Sequence, residues 1–481
     1  MKAERCLLLA SVACACSGRY VQTAEVGGAG GQMGGAANYA GAPACNGGLE
    51  QRLSIVNVTL EEDIRYRARA YDNIARDEAL AFAIGPDQKP SVAWLNNAGN
   101  TVHVSSLNAD GSYRSKDVTL ASSEVGGLAV RPDGFMLFTS GPDPGEPLQD
   151  PNNNNVVVNR AALLSRYRNQ AFEYSIPLTG TSQVTSARTA MRRDCTPTPL
   201  TGRLAFSGNR YGAYFAVHGC SGHPSETFYG DKLAYVTDTG QAAPGGFSWN
   251  CNISEGLQLL PEPSIFTSLC LSEGTPAPGL NLVLEGMPSV LLSPEANTQG
   301  YVGAQFGGIV KLSDGSYVLA WLSRGTSEVD PRRAAKPYFD IAMMYLSPTF
   351  NVVTPKLWLS ETPELAEYNL HVAPYGRDRV LLIWDSVAVT NMLGETGFGT
   401  YQGTFARVFD TTGTALGPAE RLPAPPNGSD SISVYSNGDL GWAFVSDEAR
   451  SYASPLMLDN QGIPQVPARR SLALARLVYC E

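Results

Sequence analysis

From about residue 49 onward, apolar and polar positions alternate with period two along most of this chain, the spacing of strands with one face turned to a core. Four segments share one form: SVAWLNN (91–97), SYVLAWLS (316–323), RVLLIWDS (379–386) and LGWAFVS (440–446). Each is rich in β-branched and aromatic residues, carries a tryptophan, and is predicted to be a buried strand. Three of them follow a polar turn, LSDG, APYGRD and YSNGD, and a fourth such turn, RPDG, precedes FMLFTSG. Asp-Gly and Asn-Gly supply the left-handed dihedrals a tight hairpin needs. Helical spacing shows only over 61–80 and in SETPELAEY (360–368).

A second turn recurs downstream of these strands, as LNADGSY, VTDTGQA, LSPTFNV, VFDTTGT and LDNQGIP. The strand before it alternates cleanly, as in TVHVSSL and GTFARVF. The repeating unit is therefore strand, tight turn, strand, variable loop, strand, tight turn, strand, returning roughly every 50 to 70 residues. A four-stranded unit at that spacing predicts an all-β fold, a β-propeller. Clear units fall at about 79–120, 303–361, 362–424 and 425–470, and degenerate ones at 121–183, 184–250 and 251–302. Seven blades are expected, with six or eight as alternatives. A β-sandwich pair or a β-solenoid competes, but sandwich strands would not repeat the same two turns in the same order. The repeats carry neither the Trp-Asp pair of WD40 blades nor the aspartate box of sialidase-like propellers. LEQRLSIVNVTL (49–60) reads as a strand, and it is expected to join the last blade beside SLALARLVYC, removing the open edges.

The unit is lopsided. Short turns join strands one to two and three to four on one face, and the remaining connections gather on the other. Several of these are long: 141–155, 218–230, 324–338 and 385–400. Long loops on a rigid frame are the usual place for recognition. Ligand-face candidates there are His218, His223, Arg324, Arg332, Arg333, Asp385 and Glu395. The arginines either pair with Asp385 and Glu395 or await an anionic partner group.

Before the repeats comes a different kind of sequence. A charged start (Lys2, Glu4, Arg5) leads into an apolar run from Cys6 to Ala15, too short to span a bilayer. Cys16 then opens a segment dominated by glycine and alanine. With that cysteine at its end, the segment resembles a bacterial lipoprotein signal. The resemblance implies a lipid-bearing first mature residue, Cys16 or alternatively Cys14, and a cell-envelope location. An ordinary secretory signal cut near Ala13 or Ala15 is the other possibility, and it too implies export. The expected organisation is a signal peptide over 1–15, a flexible linker over 16–44 and a propeller over 45–481. A tether of about 28 residues reaches roughly 30 Å.

The formal net charge is −10, and loss of Lys2, Glu4 and Arg5 with the signal removes a net +1, leaving −11. That field repels nucleic acid and an anionic bilayer, so membrane contact is expected only through the lipid. If Cys16 carries the lipid, six cysteines remain: Cys45, Cys195, Cys220, Cys251, Cys270 and Cys480. An even number suits disulfides in an oxidising compartment. Position along the repeat suggests Cys45 with Cys480, Cys195 with Cys220, and Cys251 with Cys270. His218, Cys220 and His223 could ligate zinc or copper, but a disulfide at Cys220 is the preferred reading, so no metal and no cofactor are expected. No catalytic motif of the Gly-x-Ser-x-Gly, Walker or dinucleotide type occurs. The expected function is a monomeric binder of a protein or glycan through the long-loop face. The alternative is a carbohydrate-active hydrolase or lyase with carboxylates at the channel.

A Cys45–Cys480 bond would close a loop of over 400 residues, contributing roughly 4–5 kcal/mol in the chain-entropy account. Replacing both by serine should lower the Tm under oxidising conditions; unchanged melting refutes the clasp.

Overall fold

In the structure, a computed structural model, the turns read from the sequence close hairpins, save LDNQGIP, which lies outside the described residues, and the chain between them pairs into seven four-stranded antiparallel sheets. The description covers residues 47–64 and most of 80–480. The longer segments outside it are 1–46, 65–79, 142–147, 179–193, 220–228, 273–278, 296–303, 326–338 and 446–468. Blades 1 to 6 occupy 80–121, 125–177, 194–252, 256–294, 304–358 and 365–422, each in sequence order from its inner strand outward. Blade 7 takes its three inner strands, Ser433–Val434, Leu440–Val445 and Arg469–Leu477, from the end of the chain. Its outermost strand is Leu53–Ile64, paired from Leu53↔Leu477 to Thr59↔Ser471. The seven blades and the shared last blade are those the repeat predicted.

Why the turns recur is visible in their bonds. At Leu312 the amide donates to Ser316 O (2.8 Å), and Gly315 N donates back to Leu312 O (3.0 Å). Gly315 sits at φ +85, the left-handed position that closes such a turn with a bulge. The same pair of bonds forms at Asn108, Thr237, Ser347, Asp410 and Tyr435. Aspartates lock several of them. Asp110 Oδ1 accepts from Ser112 N (3.0 Å) and Ser112 Oγ (2.6 Å), and Asp314 accepts from the amide and hydroxyl of Ser316.

The apolar clusters lie between neighbouring blades rather than inside one. One joins blades 4 and 5 around Leu269, Leu282, Ile309 and Trp321, and another joins blades 2 and 3 around Phe138, Leu164, Tyr211 and Phe215. Trp94, Trp321, Trp384 and Trp442 are all buried. Two of them reach the segment that follows the preceding blade: Trp321 Nε1 donates to Glu295 Oε1 (2.8 Å) and Trp442 Nε1 to Ala424 O (3.0 Å).

Three sequence readings are corrected. Residues 61–64 and 365–368, helical in spacing, are strand, because Ile64, Ala366 and Tyr368 are buried by sheet pairing. Tertiary burial overrides local spacing here. The long connection at 385–400 is an extended hairpin, Arg379–Leu393 against Thr396–Asp410. The connection at 141–155 contributes to a small hairpin of its own, Leu148–Asp150 with Asn153–Val158.

The turn aspartates make stability acid-dependent. Hydrogen bonds from Ser112 hold Asp110 below its ordinary value of 3.8, and those from Ser316 do the same for Asp314. A depressed folded pKa contributes stability that is present above the unfolded value and lost as the pH falls through the folded one. Asp110→Asn with Asp314→Asn should therefore flatten the loss of stability measured below about pH 4. An unaltered acid limb would contradict this role.

Candidate functional site

The seven inner strands, among them Val125–Arg131, Asp194–Ser207, Ala304–Lys311 and Leu365–Pro374, surround a central cavity of about 620 Å3. They approach closely because glycine permits it. A Cβ at Gly307 would lie 2.5 Å from Leu370 Cδ2 and 2.7 Å from Ala320 O, and one at Gly127 would lie 2.8 Å from Leu204 Cβ. The polar lining consists mainly of donors: Arg131, Arg203, Lys311, Gln258 and His371. Arg131 and Lys311 end their strands at the tight-turn side, while Arg203 stands four residues before the end of its own. The Arg131 guanidinium lies 3.7 Å from the Phe206 ring centroid of blade 3, and its Nε is buried without a hydrogen-bond partner among the described residues. Arg203 Nη1 donates to Gly202 O (2.8 Å). Among the described residues no carboxylate lines this cavity. Glu367 of one inner strand and Glu124, just before another, are both buried and are not among the residues lining the cavity.

His371 is held from behind. Its Nε2 donates to Asn369 Oδ1 (3.2 Å), and Asn369 Nδ2 donates to Asp385 Oδ2 (3.2 Å) and Pro426 O (3.0 Å). Asp385 Oδ1 accepts from Thr404 Oγ1 (2.5 Å). Asn369 sits at φ +50 in the middle of its strand, at an irregularity in the pairing between Tyr368 and His371. A side chain other than glycine in that region costs roughly 1–2 kcal/mol, sustained here by the bonds of its amide.

Other polar clusters are structural. Glu295, 1 % exposed, accepts from Trp321, from Ser323 Oγ (2.5 Å), from Ser293 Oγ (2.7 Å) and from Lys356 Nζ (2.7 Å). Lys356 Nζ also lies 2.8 Å from Ser323 Oγ, a serine–lysine pairing. Ser323 is fully buried, so its hydroxyl is shut off from any molecule in solution. Cys251 and Cys270 are joined and buried beside Asp231, which accepts from Cys251 N (2.9 Å) and Tyr214 Oη (2.6 Å). Burial, then Asp231, pushes the Tyr214 phenol well above its ordinary value. With both sulfurs in a disulfide, the three groups offer no thiolate to a metal. Cys480 is also disulfide-bonded, to a partner outside the described residues. His103, buried, stacks on Trp94 at 4.0 Å, with Asp117 3.7 Å from Nδ1 and Glu62 3.8 Å from Nε2.

Of the candidates read from the sequence, Asp385 lies inside a strand, fully buried, and not in a loop facing arginines. Arg324 is half-buried, its guanidinium 4.6 Å from the Phe339 ring centroid. His218 and Cys195 lie in strands of blade 3, their side chains outside the description. Cys14, Cys16, Cys45, Cys220, His223, Arg332, Arg333 and Glu395 lie outside the described residues. Sequence reasoning missed Arg131, Arg203, Lys311 and His371. A signal was there: GGLAVR (126–131) and GGIVK (307–311) share a Gly-Gly pair followed by a terminal cation.

The fold and cavity define a seven-bladed β-propeller with a basic channel. No family model and no curated protein matches the sequence. Among solved structures the chain is similar to puromycin hydrolase, at 14 % identity and TM-score 0.40 over 85 % of this chain and 61 % of that one. It is also similar to a protein of unknown function from Dyadobacter fermentans DSM 18053, at 10 % identity and TM-score 0.38 over 89 % and 99 %. The α-L-arabinofuranosidase from Lactobacillus brevis follows at 9 % and 0.33 over 77 % and 96 %. This chain thus spans about three-fifths of the hydrolase's length. At these identities the likenesses concern architecture and bear on no activity.

The strain at Asn369 is testable. Asn369→Ala loses the amide bonds and keeps the strained backbone, whereas Asn369→Gly loses the bonds but also relieves the strain. The glycine variant should be the more stable by about 1 kcal/mol in denaturant unfolding. Equal stabilities would contradict a strained position.

Proposed function

We propose that this chain is an exported, lipid-anchored propeller that binds a protein or glycan partner and performs no chemistry on it. The carrying observation is that the channel wall presents hydrogen-bond donors fixed on rigid strands, Arg131, Arg203 and Lys311 among them. Glycoside cleavage by a carboxylate pair needs one acid and one base or nucleophile facing a common bond. Three of the buried acids are committed to other donors: Glu295 to four, Asp231 to two and Asp385 to two. Releasing any of them for catalysis would strand buried donors, so these groups support a frame and not a reaction. The connections between second and third strands share one end of the ring with the inter-blade segments, and the longer of these connections are candidates for contact with a partner.

The amino-terminal reading supports delivery outside the cytoplasm, with Cys16, or alternatively Cys14, as lipid carrier. Metabolic labelling with a fatty-acid analogue in a bacterial host should mark the wild-type chain and not Cys16→Ala. Unlabelled wild type removes the anchor from the proposal. The same preparation on a glycan array and in a screen of glycosidase and lyase substrates should give retention without turnover. Any reproducible cleavage product ends the binding-only reading.

A further inference from the structure

We infer that the central channel is itself a binding site, and that its ligand is a small molecule bearing more than one oxyanion, carboxylate or sulfate. This rests on the binding reading above and adds to it the site and the ligand class.

Three observations carry the inference. The cavity, about 620 Å3, falls within the size range of small-molecule sites and is walled by all seven inner strands. Its charged lining is of one sign, from Arg131, Arg203 and Lys311, in a chain whose net charge is −10. A cationic wall in an acidic body is not what composition alone delivers. Third, Arg131 is held ready: its plane rests on Phe206, and its buried Nε has no hydrogen-bond partner among the described residues. The guanidinium is part of the cavity lining, and a forked oxyanion is the acceptor whose geometry it matches.

The negative body does not forbid this. At physiological salt the field of surface charges is screened over about 8 Å, whereas an anion inside the channel would meet the arginines at hydrogen-bond distance. The cations also stand at different heights. Arg131 and Lys311 end their strands on the tight-turn side and Arg203 lies further toward the other end, so an elongated ligand with separated anionic groups fits better than a single ion. Gln258 and His371 add uncharged or switchable polar contacts along the same wall.

Titration calorimetry on the intact chain tests the inference with four probes: digalacturonate, a sulfated disaccharide, citrate, and neutral cellobiose as a size match. At least one of the three anions should bind, more weakly as salt rises, and cellobiose should not. Citrate alone binding would assign the site to a compact polycarboxylate; the sugar acids binding in preference would assign it to an anionic saccharide. Arg131→Gln and Lys311→Gln should each weaken binding tenfold or more. Arg131→Lys, which keeps the charge but not the fork, should fall between. Lys311 is exposed, so its replacement leaves folding intact even if Arg131→Gln lowers the Tm. No anion binding, or binding unchanged in Lys311→Gln and Arg131→Gln together, overturns the inference. Cellobiose binding as tightly as digalacturonate overturns it too, while leaving a binding module. Cleavage of a bound anionic sugar would instead keep the channel site and end the claim that the chain performs no chemistry.

Discussion

The rest of the structure depends on the pairing of Leu53–Ile64 with Arg469–Leu477. Each blade is a sheet whose two faces are covered by its neighbours, so the apolar surface is satisfied only when the circle is complete. Blade 7 would be a poor closure by itself. Its inner strand, Ser433–Val434, is two residues long, and Leu440–Val445 only six. The amino-terminal strand supplies what is missing. Val58, Leu60 and Ile64 enter the cluster shared with blade 1, and Leu53 enters the one shared with blade 6. One strand thus completes two seams and fixes Arg469–Leu477 from its second side. The carboxyl end is fastened beyond it, where Asp439 accepts from Tyr479 N (2.9 Å) and pairs with Arg476 Nη2 (2.7 Å).

A ring closed mainly by apolar seams has no intrinsic register between blades, and buried polar groups provide it here. Arg166 of blade 2 is fully buried, with Nη2 2.6 Å from Asp133 and Nε 3.3 Å from Asp238 in blade 3. Tyr211 of blade 3 donates to the same Asp238 (2.8 Å). Glu295 does comparable work between blades 4 and 5. Removing one partner from such a set leaves an uncompensated buried charge, at a cost of about 3–5 kcal/mol. An apolar contact of similar area tolerates sliding, and these do not.

The frame was legible because its determinants are local. Asp314-Gly315-Ser316 encodes a turn whatever surrounds it, and a turn repeated at fixed spacing implies the unit. Where local signals mislead, burial decides: Ala366 and Tyr368 sit at helical spacing and are nonetheless strand residues covered by the adjoining strand. The 385–400 connection read as a loop because glycine and threonine are frequent in it, yet its backbone pairs from Ser386↔Gly403 to Leu393↔Thr396. The site was harder. An inner-strand residue and a core residue share the same period of two, so alternation cannot separate a side chain facing the axis from one facing the next blade. His371 shows this, being both buried and part of the channel wall.

The position of the channel's charges follows from how the inner strands meet. Near the axis they approach until a single methyl group would collide, as at Gly127 against Leu204 and Gly307 against Leu370. A side chain at either of those glycines would collide with the facing strand. Arg131 and Lys311 stand instead at the last residue of their strands, four and three positions beyond the second glycine of each Gly-Gly pair. Blades 2 and 5 use the same device, glycines for closeness and then a terminal cation. Blades 2 and 5 thus share both the glycine contact and the cation, set over Phe206 for Arg131 and over Tyr317 for Lys311. Core filling would accept any aliphatic residue at those strand ends, and an exposed lysine contributes little to the stability of a seam. The proposed anion site would give this doublet of cations a role beyond holding the ring.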